Sequence, residues 1–416
     1  MVGRARFRLG LGGLVLIALM SGRSSGGFSI LDLGAIDSGG GPGSLVSGAT
    51  AVNASGGTAG ISAQAGFPSV SMAVVSASGG SFAAAPVPSN IIGSSYAYAI
   101  NAAGNVGGGY FTSNPDGTNY VEHAFVVRDG KGVDLGTLDR DGKMGKNAQV
   151  NGLNNGGQAT GTAYDHRQVQ QAFRVDGGGT SLTLINPLTG GQFALGNGIN
   201  QAGIVVGASD TSHGSVHAFT AIGLVANDLT AKDPSLVFTG NSSGMAINDS
   251  GQVAGYGSLN PGINHAFLTD ASGHLADLGV LANSTSSYAR GLNNLGQAVG
   301  FCDNNGSGAV AFAYDPAQAR MLNLYGLLDM AGRSAWRSLS IASGINDSDQ
   351  ISGQGVLANG RIHGFLLSPI PGQPIFYPPL VAVPTPPALV LSGLGCGIAL
   401  AWSRFRRGRT GGRGAA

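Results

Sequence analysis

Four histidines stand in one short context: His123-Ala124-Phe125, His217-Ala218-Phe219, His265-Ala266-Phe267 and His363-Gly364-Phe365. Recurring imidazoles raise the question of a metal site, but zinc needs its ligands within about 2 Å of one ion. Side chains at equivalent places in a repeat are dispersed by the fold. Gln171, Val310 and Met72 fill the same place elsewhere, so the expected role is structural, with no metal and no cofactor. Gly240-Asn241-Ser242-Ser243-Gly244 matches the nucleophile-elbow pattern. That motif requires strand, tight turn and helix. Here the residues lead into a strand ending at Ile247, which predicts a connecting loop. Asp139-Arg140-Asp141-Gly142 and Asp303-Asn304-Asn305-Gly306 lack EF-hand spacing and read as turns. Glycoside hydrolysis generally needs a pair of carboxylates, and no pair is visible, so no catalytic residue is predicted. An enzyme would gather acidic or histidine side chains outside the repeat at one rim. His166, His213 and His274 are the histidines available for that.

What positions these residues is a recurring turn. VNASGGTAG from Val52, INAAGNVGG from Ile100, LNNGGQATG from Leu153, INQAGIVVG from Ile199, INDSGQVAG from Ile247, LNNLGQAVG from Leu292 and INDSDQISG from Ile345 share one pattern. Their asparagines are Asn53, Asn101, Asn154, Asn200, Asn248, Asn293 and Asn346. The mean spacing is about 49 residues, in the range of propeller blades. Asn bonds its own backbone two residues on and Gly takes a positive φ, so each turn joins two strands of a hairpin. The His-Ala-Phe segment is a third strand, with His and Phe on one face and Ala on the other. VDLGTL from Val133 and ADLGVL from Ala276 mark a fourth, with weaker forms at Leu182, Asn227 and Leu322. Four strands per repeat predict a blade.

The last repeat lacks a fourth strand, and LDLGAI, Leu31 to Ile36, is spare at the other end. The fold expected is therefore all-β: a seven-bladed β-propeller of four-stranded blades over 28–368, closed by its N-terminal strand, with a C-terminal hydrophobic helix. An open solenoid capped by LDLGAI is the alternative. The three motifs in fixed order resemble the bacterial HAF extracellular repeat family. The resemblance implies an exported protein and specifies no activity.

Charged residues are only 10% of the chain and glycine supplies 73 of 416. Such composition favours strands and turns over helices. Nine of the 22 basic residues lie at the two ends, leaving 13 against all 21 acidic ones between them. An acidic body argues against a nucleic-acid partner. The ends read as addresses. Arg4, Arg6 and Arg8 precede the apolar run Leu9 to Met20, as in a secretory signal over 1–25. Residues 369–382 form a proline-rich linker. Val383-Pro384-Thr385-Pro386, an apolar run and the cluster Arg404, Arg406 and Arg407 follow within 383–409. This order resembles the PEP-CTERM sorting signal of exported Gram-negative proteins, with Thr385 where that family has glutamate. It implies a sorting protease of the exosortase kind as a partner. The apolar run is at the short end of spanning length, and the arginines would stay cytoplasmic. Residues 410–416 are expected to be a disordered tail. Cys302 and Cys396 imply no disulfide framework. The function expected is a binding or structural module of the cell surface or extracellular matrix, with extracellular polysaccharide as partner. A hydrolase or lyase acting at the channel mouth is the alternative.

Overall fold

The computed structural model describes residues 27–36, 45–64, 70–113, 120–140, 143–144, 146–230, 238–270, 273–303 and 308–373. They form seven four-stranded antiparallel sheets and a two-stranded ribbon, Asp139–Arg140 with Lys143–Met144. The seven sheets are the blades of a propeller. Their innermost strands are Leu45–Val52, Ser95–Ile100, Ala148–Leu153, Ala194–Ile199, Ser242–Ile247, Ser286–Leu292 and Trp336–Ile345, which number blades 1 to 7. The Asn turn links each innermost strand to the second.

Blade 7 takes its outer strand from the N-terminus. Phe28–Gly34 pairs antiparallel with Ile362–Pro369, setting Asp32 opposite Phe365. The predicted closure is therefore present. The predicted signal segment, sorting segment, C-terminal helix and tail lie outside the described residues. Among the described residues no helix is long and apolar enough to cross a membrane.

The tripeptide explains how blades pack. The small residue of one blade's third strand meets the Phe of the next blade. Ala124 shares a buried cluster with Phe173, Ala172 with Phe219, Ala218 with Phe267, Ala266 with Phe312, Ala311 with Phe365 and Ala73 with Phe125. These six phenylalanines are fully buried. At the closing seam Val74 stands in the place of Phe, and Phe82 fills the space. Its ring lies over Gly60 and Gly364. Removing one such ring from a close-packed core costs about 3–5 kcal/mol.

The glycine that ends each turn motif is set by close approach. At Gly255 a Cβ would sit 2.0 Å from the Ser243 carbonyl oxygen and 2.9 Å from the Phe267 ring. No side chain fits there without moving backbone.

Candidate functional site

The seven asparagines make a closed ring of hydrogen bonds around the axis. Asn53 Nδ2 donates to the Asn101 carbonyl, Asn101 to Asn154, Asn154 to Asn200, Asn200 to Asn248, Asn248 to Asn293, Asn293 to Asn346 and Asn346 back to Asn53, all at 2.8–3.2 Å. Each Oδ1 meanwhile accepts from the backbone N–H four residues on, as Asn248 does from Gln252 at 2.9 Å. One buried amide thus pins its own turn and the neighbouring blade. The sequence reading gave these asparagines a turn, and the link between blades was not part of it. The turns surround a cavity of about 260 Å³ at this mouth of the channel.

Behind the asparagines lies an apolar girdle: Val52, Ile100, Leu153, Ile199, Ile247, Leu292 and Ile345. It borders this cavity and a second one of about 210 Å³ farther along the axis. The second cavity differs in kind. Every innermost strand carries a β-bulge three residues before its Asn. The extra residues are Thr50, Tyr98, Asn151, Asn197, Met245, Arg290 and Ser343, and all seven line this cavity. A bulge breaks strict strand alternation and re-aims a side chain. Here it turns seven side chains of six kinds toward the axis, while the flanking positions are Ala or Gly apart from Val150.

Three of the seven are tied down by the carbonyl that the neighbouring bulge frees. Thr50 Oγ1 donates to Ala97 at 2.7 Å, Asn151 Nδ2 to Gly196 at 2.9 Å and Asn197 Nδ2 to Gly244 at 2.8 Å. Arg290 lies over the Phe301 ring, 5.4 Å from its centroid, and Phe301 stacks on Tyr288 at 4.9 Å. Tyr98 stacks on Tyr96 at 6.1 Å. Burial and the nearby Glu122 carboxylate hold the Tyr98 hydroxyl above its ordinary range. Glu122 is the chain's single glutamate. Burial pushes its carboxyl up to about 7.

The repeat histidines face the other way, toward the outer strands. Each Nδ1 meets an aspartate of the fourth strand: His123 with Asp134 at 3.0 Å, His217 with Asp228 at 2.7 Å, His265 with Asp277 at 2.9 Å and His363 with Asp32 at 2.8 Å. The closing strand therefore supplies blade 7 with the partner that other blades find in their own repeat. Where His is replaced by Met72, Gln171 or Val310, the matching outer position is Ala84, Leu184 or Asn323. Residue and partner change together within one chain, which marks the pair as a structural unit. Burial alone would raise the Asp134 carboxyl. The hydrogen bonds from His123 and the Gly136 N–H outweigh it and hold the group below its ordinary value.

His166, His213 and His274 lie in blades 3, 4 and 5 and do not converge. His213 shares a cavity at the edge of blade 4, about 620 Å³, with His217 and Asp228. The latter two are already engaged with each other. His274 sits 3.5 Å from Asp270. Ser242 of the elbow-like segment is buried at the start of an innermost strand, where its Oγ accepts from the Ala218 N–H at 2.9 Å. It joins blades 4 and 5. Of the two calcium-like stretches, Asp141, Gly142 and residues 304–306 lie outside the described residues.

No family model matches the chain, and no curated protein matches it. Solved structures do. The β-propeller domain of the Trilobed protease from Pyrococcus furiosus has a TM-score of 0.48 at 8% identity, over 82% of this chain and 98% of that one. Puromycin hydrolase gives 0.45 at 16%, over 83% and 53%. Trypanosoma rangeli sialidase gives 0.43 at 11%, over 91% and 62%. This chain thus spans little more than half of the last two. At such identities the likeness concerns the fold alone, which is the β-propeller.

Proposed function

We propose that the chain is an exported, envelope-associated propeller that binds extracellular polysaccharide at the channel mouth carrying the bulged residues. One observation carries the reading. At the bulge the seven blades present six kinds of side chain, Asn alone occurring twice, whereas the girdle and Asn positions around it repeat. Hydroxyl, amide, aromatic and guanidinium groups around one cavity are the groups that bind sugar hydroxyls and ring faces. The likeness to HAF repeats and to a PEP-CTERM signal supports export. In that reading 1–25 is a secretory signal, and 383–409 meets the membrane and an exosortase-like protease. Both flanking segments would join the fold at one edge of blade 7, where the Ile370 N–H donates to Gly27 at 2.9 Å.

A second reading, hydrolysis of such a polymer, has one observation in its favour. A carboxyl with its pKa near neutrality, beside a channel tyrosine, suits a general acid. No aspartate or glutamate, Glu122 included, lines the bulge cavity among the described residues, so neither carboxylate of the usual mechanism has a candidate there. Binding is therefore the conclusion we favour.

The test uses the full chain and the extracellular polysaccharide of the producing organism. Saturable binding with polymer length unchanged is the expected result, weakened at least about ten-fold by Tyr98→Ala, in line with the loss of one buried aromatic anchor. Shortened polymer would establish the hydrolase instead. Neither binding nor shortening would refute both readings.

A further inference from the structure

One part of the variable mouth departs from the repeat more than the rest. Five residues before the turn Asn, blades 2 to 7 carry Tyr96, Gln149, Leu195, Ser243, Tyr288 and Ile341, whereas blade 1 has Gly48. Gln354 takes up the room of the missing side chain, its Oε1 2.7 Å from where a Cβ would stand, and a cleft of about 290 Å³ lies at this seam between blades 7 and 1. Arg290, Ser343 and Gln354 line it beside Gly48. Among the described residues none of these three side chains makes a hydrogen bond or ion pair. Arg290 is exposed and rests on Phe301, which gives its guanidinium a fixed support. It is the one charged member of the bulge ring, and no carboxylate lines the cleft among the described residues. An uncompensated cation in a body otherwise rich in acid, next to an amide and a hydroxyl, is suited to a planar anion carried on a polar ring. A guanidinium fork matches a carboxylate with two parallel hydrogen bonds.

We propose that this cleft binds the carboxylate of an acidic sugar, a uronate residue of the polymer, with Arg290 as the anion-binding side chain. Ser343 and Gln354 bond the hydroxyls of the same ring, and Gly48 leaves room for the Gln354 side chain that does so. The inference rests on the polysaccharide reading above and specifies its ligand class.

The test is calorimetry on the full chain in mild detergent, with three oligosaccharides of equal length: an oligogalacturonate, its carboxyl-reduced neutral counterpart and a sulfated form of that counterpart. The wild type should bind the uronate at least about ten-fold more tightly than the neutral oligomer, one charge-assisted pair being worth that factor. Arg290→Gln should make the two equal without changing Tm, since the side chain is exposed. Arg290→Lys should restore part of the preference, because an ammonium lacks the fork. Gly48→Ala would bring a Cβ within 2.7 Å of Gln354 Oε1 and should weaken uronate binding by displacing that carboxamide. A preference that survives Arg290→Gln, equal wild-type binding of the uronate and neutral forms, or no effect of Gly48→Ala overturns this assignment and leaves polysaccharide binding standing. A sulfated oligomer bound as tightly as the uronate overturns the carboxylate class. If no oligomer binds, the polysaccharide reading falls with it.

Discussion

The ring asparagines do more than shape turns. Asn248 donates to Asn293 and to Gln252 Oε1 and accepts from the Gln252 N–H. Asn248→Ala leaves buried partners unpaired and should cost about 2 kcal/mol, read as a fall in Tm. Leu295→Ala, at an exposed site in the next turn, should stay within about 0.5 kcal/mol. Asp349 holds the place of the turn glycine at φ 59°, where the other six repeats have Gly. Its Oδ1 is buried and unpartnered. Asp349→Gly should therefore stabilise the chain by about 1 kcal/mol, visible in denaturant unfolding. Glu122 gives a pH signature. Its folded pKa, about 7, stands above its ordinary 4.5. The stability linked to it is fully present below pH 4.5 and is lost as pH rises through 7. Glu122→Gln should remove that loss, so Tm measured from pH 4 to 8 should fall less in the variant.

Among elements, the His–Asp pair couples the third strand to the fourth. His265→Val and Asp277→Asn each break it. Together they install the combination that blade 6 carries as Val310 and Asn323. Their combined cost should fall below the sum of the singles by about 1 kcal/mol in unfolding experiments. Additive costs would mean that the pair is only a crystal-like contact between independent side chains. Much at this scale was legible in the sequence, because turn, third strand and fourth strand each leave a motif of fixed order. Two things were not. Blade 1's outer strand, Ala83–Ala84, has no motif. The bulges also escaped, because they lie upstream of the Asn turn, where period-two alternation is assumed. The signal was nevertheless present: a variable residue between small neighbours, as in Ala289-Arg290-Gly291 and Ala97-Tyr98-Ala99. Variation there resembles decay of a repeat unless the bulge is known. Glu122 likewise reads as a lone surface acid until the fold buries it near Tyr98.

Over the whole molecule, closure relies on two seams, the strand Phe28–Gly34 in blade 7 and the bond from Asn346 to Asn53. Deleting 28–34 uncovers the edge of Ile362–Pro369 and removes Phe28 and Leu33 from the core. An uncovered edge pairs with other chains. The variant should unfold at lower temperature and associate in a concentration-dependent way in sedimentation. The remaining claim is that the seven bulged residues form the binding surface. Hydrogen exchange of the full chain, with and without the extracellular polysaccharide, tests it most directly. The account predicts added protection at the bulge segments of several blades, Tyr98 and Arg290 among them, with little change at the Asn turns. Protection confined to the Asn-turn mouth or to the outer strands would contradict it.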